Sequence, residues 1–316
     1  MNGSGMDVST IAPIMPFRSI ENPFILAATE DYLAVFKPIG MHSVPISLRI
    51  GGNPALHESP SLVSWLEREV PDHCGTFDLH GAAAETDSIE SEEGRLGPAL
   101  RREARERGML SRLDKDTSGL ILFARSIAAM RRALEIQRIG GIRKFYRLVA
   151  VASDNALPGF RPPHRALSRD EAALFNEPEK AGEGLAIESY FRSFGERGAM
   201  VACVSPDEAK RGKKPLSKGI FRTIASRSGL PSVQEFAGVE SAWEIEAMIN
   251  SGFRHQIRAH LAWLGYPIAG DKLYGGARAS RLYLECHRVE IGAPGAQPLV
   301  FELYDGEPNE RPSVWM

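Results

Sequence analysis

The sequence predicts an α+β fold. Short strand-like apolar runs recur along most of the chain, only a few segments carry helical apolar spacing, and Gly, Pro and polar turn formers separate the two kinds. A chain of 316 residues at 43% apolar content can bury one large core or two modest ones. We expect a single domain over residues 22–305, a flexible lead at 1–21, a polar tail at 306–316, and insertions at about 72–97 and 152–183.

The elements follow in order. Phe24–Ala28 and Tyr32–Phe36 read as two short strands, and Lys37-Pro38-Ile39-Gly40 turns the chain after them. Ser59-Pro60 ahead of Leu62, Val63, Trp65 and Leu66 predicts a helix with Ser59 as N-cap and Pro60 in its first position. Residues 72–97 are poor in large apolar side chains and rich in acid, which marks a mobile surface insertion. A basic helical pattern runs from Pro98 to Arg107 and stops at Gly108. Ser111 to Gly119 is a polar loop feeding the apolar run Leu120–Ala124, a core strand. Ser126 caps a helix with Ile127, Met130 and Leu134 on one face, ended by Gly140-Gly141.

Arg143–Val151 is β-rich, with Phe145 and Tyr146 on opposite faces. Beyond the second insertion, strand-like runs fall near Leu185–Phe191, Met200–Val204, Phe221–Ala225 and Trp243–Ile249. Ser251–Gly265 is a turn and then a helix. Ile257, Leu261 and Leu264 form its buried stripe, with Arg258 at the edge, where a charge needs a partner. Pro267–Gly275 is a turn, Arg281–Cys286 a closing strand, and Leu299–Leu303 the last one.

Composition excludes several function classes and leaves others open. Cys74, Cys203 and Cys286 are odd in number and far apart, so they form neither a disulfide framework nor a Cys-x-x-Cys knuckle. A reducing cytoplasm is the expected setting. The eight histidines show no metal-ligand spacing. No apolar stretch is long enough to span a bilayer. The net charge of −2 is unlike that of a generic nucleic-acid binder, yet the charges are segregated. Asp72 to Glu93 is acidic, whereas Arg101-Arg102, Arg131-Arg132 and the run from Lys210 to Lys218 are basic, so a positive groove is compatible with the sum. The 210–218 run suits a solvated loop and an RNA contact equally.

The loop at 111–119 is where chemistry would be mounted, because a loop held against a strand end is rigid. Arg112 and Asp114 lie two apart and point to one side of an extended segment. Arg-x-Asp alone also fits a surface turn. Three blocks in order say more: Arg112-Leu113-Asp114 with Thr117-Ser118-Gly119, then Lys144-Phe145-Tyr146, then His255-Gln256-Ile257-Arg258. In these the chain resembles the RluA-type pseudouridine synthases.

That resemblance implies a pseudouridine synthase fold, a mixed and mostly antiparallel sheet with a central catalytic cleft and flanking helices. It implies isomerisation of a specific uridine in rRNA or tRNA, with RNA as partner and with no cofactor, metal or membrane. It makes Asp114 the catalytic carboxylate, attacking ribose C1′ or working through a glycal. Arg258 becomes its charge-assisted, bidentate-capable partner, and Tyr146 the ring that stacks on the uracil and serves proton transfer. Arg112 is implied to fill the space left by the flipped base, Leu284 to form the apolar floor, and Thr117 and His255 to complete the substrate contacts. The Lys37-Pro38-x-Gly40 turn lines the RNA cleft. Three departures stand out: Ser111 in place of His, Phe253 in place of Arg with Arg254 one step later, and Glu285-Cys286 in place of His-Ala. The lead is too short for the small RNA-binding module many members carry, so added RNA grip is expected from the insertions. A monomer is expected.

Two rivals remain. A catalytically silent RNA-binding relative is disfavoured because Asp114, Tyr146 and Arg258 are all present. A carboxylate-dependent nucleoside glycosidase would need a second carboxylate, for which Glu244 or Glu246 is the candidate.

Overall fold

The computed structural model describes residues 20–50, 53–77, 106–152, 184–211, 216–229 and 241–303, with residues 17, 172, 175, 236 and 239. Two adjacent strands, β2 (Tyr32–Lys37) and β5 (Ser118–Ala124), are buried along their whole length. Continuous apolar runs of this kind are covered on both faces, whereas a half-solvated strand alternates. The other strands of the main sheet are β1 (Phe24–Ala28), β6 (Ile142–Val151), β7 (Leu185–Phe194), β8 (Met200–Val204), β9 (Phe221–Gly229), β10 (Ala242–Ile249), β11 (Leu284–Ile291) and β12 (Leu299–Glu302). They form a ten-stranded sheet in the order β1-β2-β5-β11-β6-β10-β9-β7-β8, with β12 also on β11. β3 (Ser47–Ile50) and β4 (Asn53–Glu58) make a separate hairpin.

Every pair in the main sheet is antiparallel except β5 with β11, which run parallel at Glu285↔Ser118 and Cys286↔Gly119. The mixed, mostly antiparallel α+β architecture is therefore the one the sequence predicts. The parallel contact depends on Gly119. Its φ is +123°, and a Cβ there would lie 2.3 Å from the Cys286 carbonyl oxygen and 2.5 Å from its nitrogen. No other residue combines that backbone angle with that approach.

Among the described residues the α-helices are α1 (Leu62–Glu69), α2 (Pro71–Gly75), α3 (Ile127–Arg138), α4 (Pro206–Arg211) and α5 (Gln256–Trp263). The first begins later than Ser59-Pro60 suggests. Its N-cap is Ser61, whose Oγ accepts the Ser64 N–H at 3.1 Å. The cause is tertiary: Leu62 and Val63 donate their N–H groups to the carbonyls of His42 and Ser43, which ties the chain to the earlier turn before helix starts.

The acidic insertion also begins later than residue 72. Residues 71–75 are helical, and His73, Cys74 and Phe77 are buried, with the His73 ring against Phe77 and its Nε2 2.9 Å from the Arg107 carbonyl oxygen. The remainder of that insertion, the helical pattern at 98–105, and most of 152–183 lie outside the described residues. Phe175 is an exception, buried edge-on against Trp243.

α3 is capped as expected, the Ser126 Oγ accepting the Ala129 N–H at 3.0 Å. Its buried side is Ala129, Met130 and Ala133, with Ile127 and Leu134 only partly covered. α5 departs most from expectation. All eight of its residues are buried, so Arg258 is not at the edge of a stripe but inside the protein, as are Gln256 and His260. Each polar side chain then needs its own partner. His260 lies between Ser189 and Thr223 at 3.0 and 2.8 Å, and Gln256 donates to the Arg222 carbonyl at 2.9 Å.

The glycine contact yields a paired test. Gly119→Ala is expected to lower the free energy of urea unfolding by about 3 kcal/mol or more, since strain and overpacking add. Gly40→Ala, at φ +80° with nothing within 4 Å of its added Cβ, should lose only about 1 kcal/mol.

Candidate active site

The loop ahead of β5 is pinned from beneath. Lys37, fully buried at the end of β2, donates its ammonium to the carbonyls of Pro38, Met41 and Lys115 at 2.8, 2.9 and 3.1 Å. Burial pulls its pKa down to about 7, with Asp114 and Asp116 pulling the other way. Ser43 Oγ donates to the Leu113 carbonyl at 2.7 Å and accepts its N–H at 3.1 Å. Asp114 itself closes the turn, its carbonyl accepting the Thr117 N–H at 3.1 Å. Beyond the loop, Ser118 Oγ donates to Glu285 at 3.0 Å and accepts from Arg281 at 2.6 Å, and Arg147 Nε donates to Glu285 at 2.9 Å. The Glu285 departure is thus a buried anchor for the strand that follows the loop.

This loop, β6, the start of β11 and the N-terminus of α5 enclose a cavity of about 540 Å³. Asp114, Tyr146, Arg258, Arg112, Leu284, Thr117 and His255 all line it, although they come from segments far apart in sequence. Neither Glu244 nor Glu246 is among the lining residues, and Glu246 is engaged by His287 Nε2 at 3.0 Å.

Arg258 organises the wall. Its Nε and Nη2 donate to the two oxygens of Asp271 at 2.7 and 2.8 Å, and its Nη1 stands 3.5 Å from Asp114 Oδ2. The bidentate partner is therefore Asp271, a correction to the expected Arg258–Asp114 grip. The reason is burial. Asp271 has no exposed side-chain surface and must be neutralised, whereas the Asp114 side chain is 26% exposed to the cavity and solvated there. Burial by itself would pull the Arg258 pKa down; the Asp271 carboxylate more than reverses this, and the guanidinium stays charged. Asp271 also accepts the N–H groups of Leu273 and Tyr274, both at 3.0 Å. An aspartate after glycine that caps its own turn is the sequence signal that could have singled it out.

His255 is held in the left-handed region, φ 56°, a strained backbone for a non-glycine residue. Its Nδ1 is 3.1 Å from the Tyr274 hydroxyl and its Nε2 3.8 Å from Asp114. Burial lowers its pKa, against the pull of Asp114, so the ring is neutral at pH 7. Burial raises the Tyr146 hydroxyl well above its usual range, with the Cys286 thiol beside it. That thiol is itself pushed up to about 12. Arg112 is half-exposed at the mouth, paired through Nε with Glu106 at 3.0 Å and through Nη2 with the second oxygen. Phe253 is partly buried against the core, stacked on Phe191 at 4.9 Å, and Arg254 reaches the carbonyls of Gly198 and Met200.

Two outcomes are expected. Asp271→Asn should lower unfolding free energy by about 3–5 kcal/mol, because it strands a buried guanidinium. Asp114→Asn should change it by less than about 1 kcal/mol, the partly exposed carboxylate being replaced by water contacts. For His255, the folded pKa lies below the unfolded value of 6.5. Its stabilising share is therefore present above pH 6.5 and lost as pH falls through the folded pKa. Thermal melts from pH 7 to 5 should fall more steeply for wild type than for His255→Gln.

A family model described as RNA pseudouridylate synthase matches residues 31–263. The chain is 28% identical over 300 residues to RNA pseudouridine synthase 2, chloroplastic, of Oryza sativa subsp. japonica, covering 90% of this chain and 57% of that protein. It is 28% identical over 180 residues to an uncharacterized RNA pseudouridine synthase of Chloroflexus aurantiacus, covering 56% and 41%. With the Ribosomal large subunit pseudouridine synthase C of Escherichia coli K12 it shares 26% over 212 residues, covering 62% and 52%. The chain thus spans about half the length of the curated relatives it matches. Human RNA Pseudouridylate Synthase Domain Containing 1 has the same fold, at a TM-score of 0.52 and 16% identity over 92% of this chain and 86% of that one. Among the described residues no helix is long and apolar enough to cross a membrane. With the family match running through the Asp114 loop, the Tyr146 strand and the Arg258 helix, the chain belongs to the RNA pseudouridylate synthase family, in its RluA-type branch.

Proposed function

We propose that the protein isomerises a uridine within an RNA to pseudouridine, with Asp114 as the group that acts at ribose C1′. The supporting observation is a partly exposed carboxylate opening into a cavity of about 540 Å³, beside a guanidinium whose own charge is already anchored by Asp271. The names of the relatives favour ribosomal RNA among the RNA classes. Isomerisation involves no net oxidation, so a carboxylate and proton carriers suffice for its steps.

The target nucleotide must leave its stack, at a cost of a few kcal/mol. Arg112 is the group to fill the gap, its planar guanidinium exchanging Glu106 for the neighbouring bases. Inside, Leu284 supplies an apolar floor and Tyr146 a stacking face, with a hydroxyl that stays protonated and donates. Thr117 Oγ1 is buried and has no hydrogen-bond partner among the described residues, which suits a contact to the substrate. Glu244 and Glu246, the carboxylates a nucleoside glycosidase would recruit, do not line the cavity, which counts against that reading.

The test is pseudouridine formation on deproteinised RNA from cells lacking the protein. Wild type should restore pseudouridine at the missing position, and Asp114→Asn should restore none. Free uridine should not be turned over. Activity surviving in Asp114→Asn would overturn the assignment.

A further inference from the structure

One group on the cavity wall has no role in the account so far. Lys144 on β6 is buried, lines the cavity between Tyr146 and the Ser251–Phe253 turn, and has the Cys286 thiol as its titratable neighbour. It finds no hydrogen-bond or carboxylate partner among the described residues. Its Nζ lies against Gly252: a Cβ added there would stand 3.2 Å from Nζ, with no other atom within 4 Å. A side chain at 252 would therefore press on the amine itself. A buried lysine without a counter-ion is costly, and every other buried cation around the site has partners: Arg258 has Asp271, and Lys37 has three carbonyls. A lysine kept alone at the wall of a substrate cavity is a lysine whose partner arrives with the substrate.

We propose that the Lys144 ammonium stabilises the uracil anion that forms when the glycosidic bond breaks. This rests on the uridine isomerisation proposed above. When N1–C1′ breaks heterolytically, the electron pair stays on the base and is shared between N1, O2 and O4. The freed base turns, C5 gives the pair back to C1′ in a new C5–C1′ bond, the C5 proton is released and N1 takes one up. Protons and electrons balance, with no oxidant or reductant. Negative charge exists on the base only between the two bonds, so a cation on the cavity wall acts on that stage and not on uridine itself. Burial lowers the lysine pKa; an anion beside it raises it again, which favours the ammonium when the charge appears.

The experiment compares leaving groups. Wild type and Lys144→Met are assayed in single turnover on the same RNA carrying either uridine or 5-fluorouridine at the target. The readout is loss of the intact nucleoside by nuclease digestion and mass spectrometry. Fluorine at C5 withdraws electrons and stabilises the departing anion, and that base, having no C5 proton, stops short of pseudouridine. Lys144→Met should slow uridine consumption by about 10²–10³-fold, the usual loss for one such donor, with RNA affinity unchanged. On 5-fluorouridine the loss should be at least tenfold smaller. An equal loss on both substrates, or a loss confined to RNA binding, would overturn the proposal. Gly252→Ala, which displaces Nζ without removing it, should show the same pattern in weaker form and carries the test if Lys144→Met does not fold. If wild type makes no pseudouridine on any RNA, the isomerase reading has failed. If wild type is active and both variants match it, only the role of Lys144 has failed.

Discussion

A guanidinium shut inside the protein governs this site. Arg258 is buried on a helix whose eight residues are all covered, and a charge in that setting must be met by another. Asp271 meets it with two hydrogen bonds and is as deeply buried. The third arm of the guanidinium is left facing Asp114 at 3.5 Å. One carboxylate neutralises the cation, and the other feels its field while staying open to the cavity. Had Asp114 been the bidentate partner, its oxygens would be engaged by the guanidinium and not open to the cavity.

The surrounding structure serves that separation of roles. Lys37 and Ser43 fix the Asp114 loop from below through backbone contacts, so its shape does not depend on the Asp114 side chain. Behind the loop, Ser118 is clamped between Arg281 and Glu285, and Gly119 allows β11 to approach β5 in parallel. That contact sets Leu284 at the start of β11 next to the loop, with Tyr146 across from Cys286 on β6. Site residues distant in sequence thus meet on three adjacent strands and one helix end. Two of the three departures from the usual family pattern are absorbed structurally. Phe253 packs with Phe191, and Glu285 becomes a buried anchor.

Much of this was legible in the sequence, for identifiable reasons. Strand runs such as Leu120–Ala124 announce themselves because burial on both faces demands unbroken apolar residues. The seven residues singled out through the resemblance, from segments far apart in sequence, line one cavity. What stayed hidden depends on tertiary direction. Asp271 sits in a glycine-rich turn, and nothing local says that its side chain points at Arg258. The helix at 256–263 reads as amphipathic because Gln256, Arg258 and His260 are polar, yet each is buried against a specific partner supplied by a distant strand or turn. Residues 72–77 look like the start of a solvated insertion, but His73, Cys74 and Phe77 face the core.

Asp271 carries Arg258 and so leaves Asp114 open to the cavity for the role proposed for it. Single-turnover pseudouridine formation by Asp271→Asn, measured where the variant is folded and alongside its RNA affinity, tests this most directly. The account predicts a rate lower by about 10²-fold, as expected for a catalytic group displaced by an ångström or so, with RNA binding unchanged. A folded variant that reacts at the wild-type rate would contradict it.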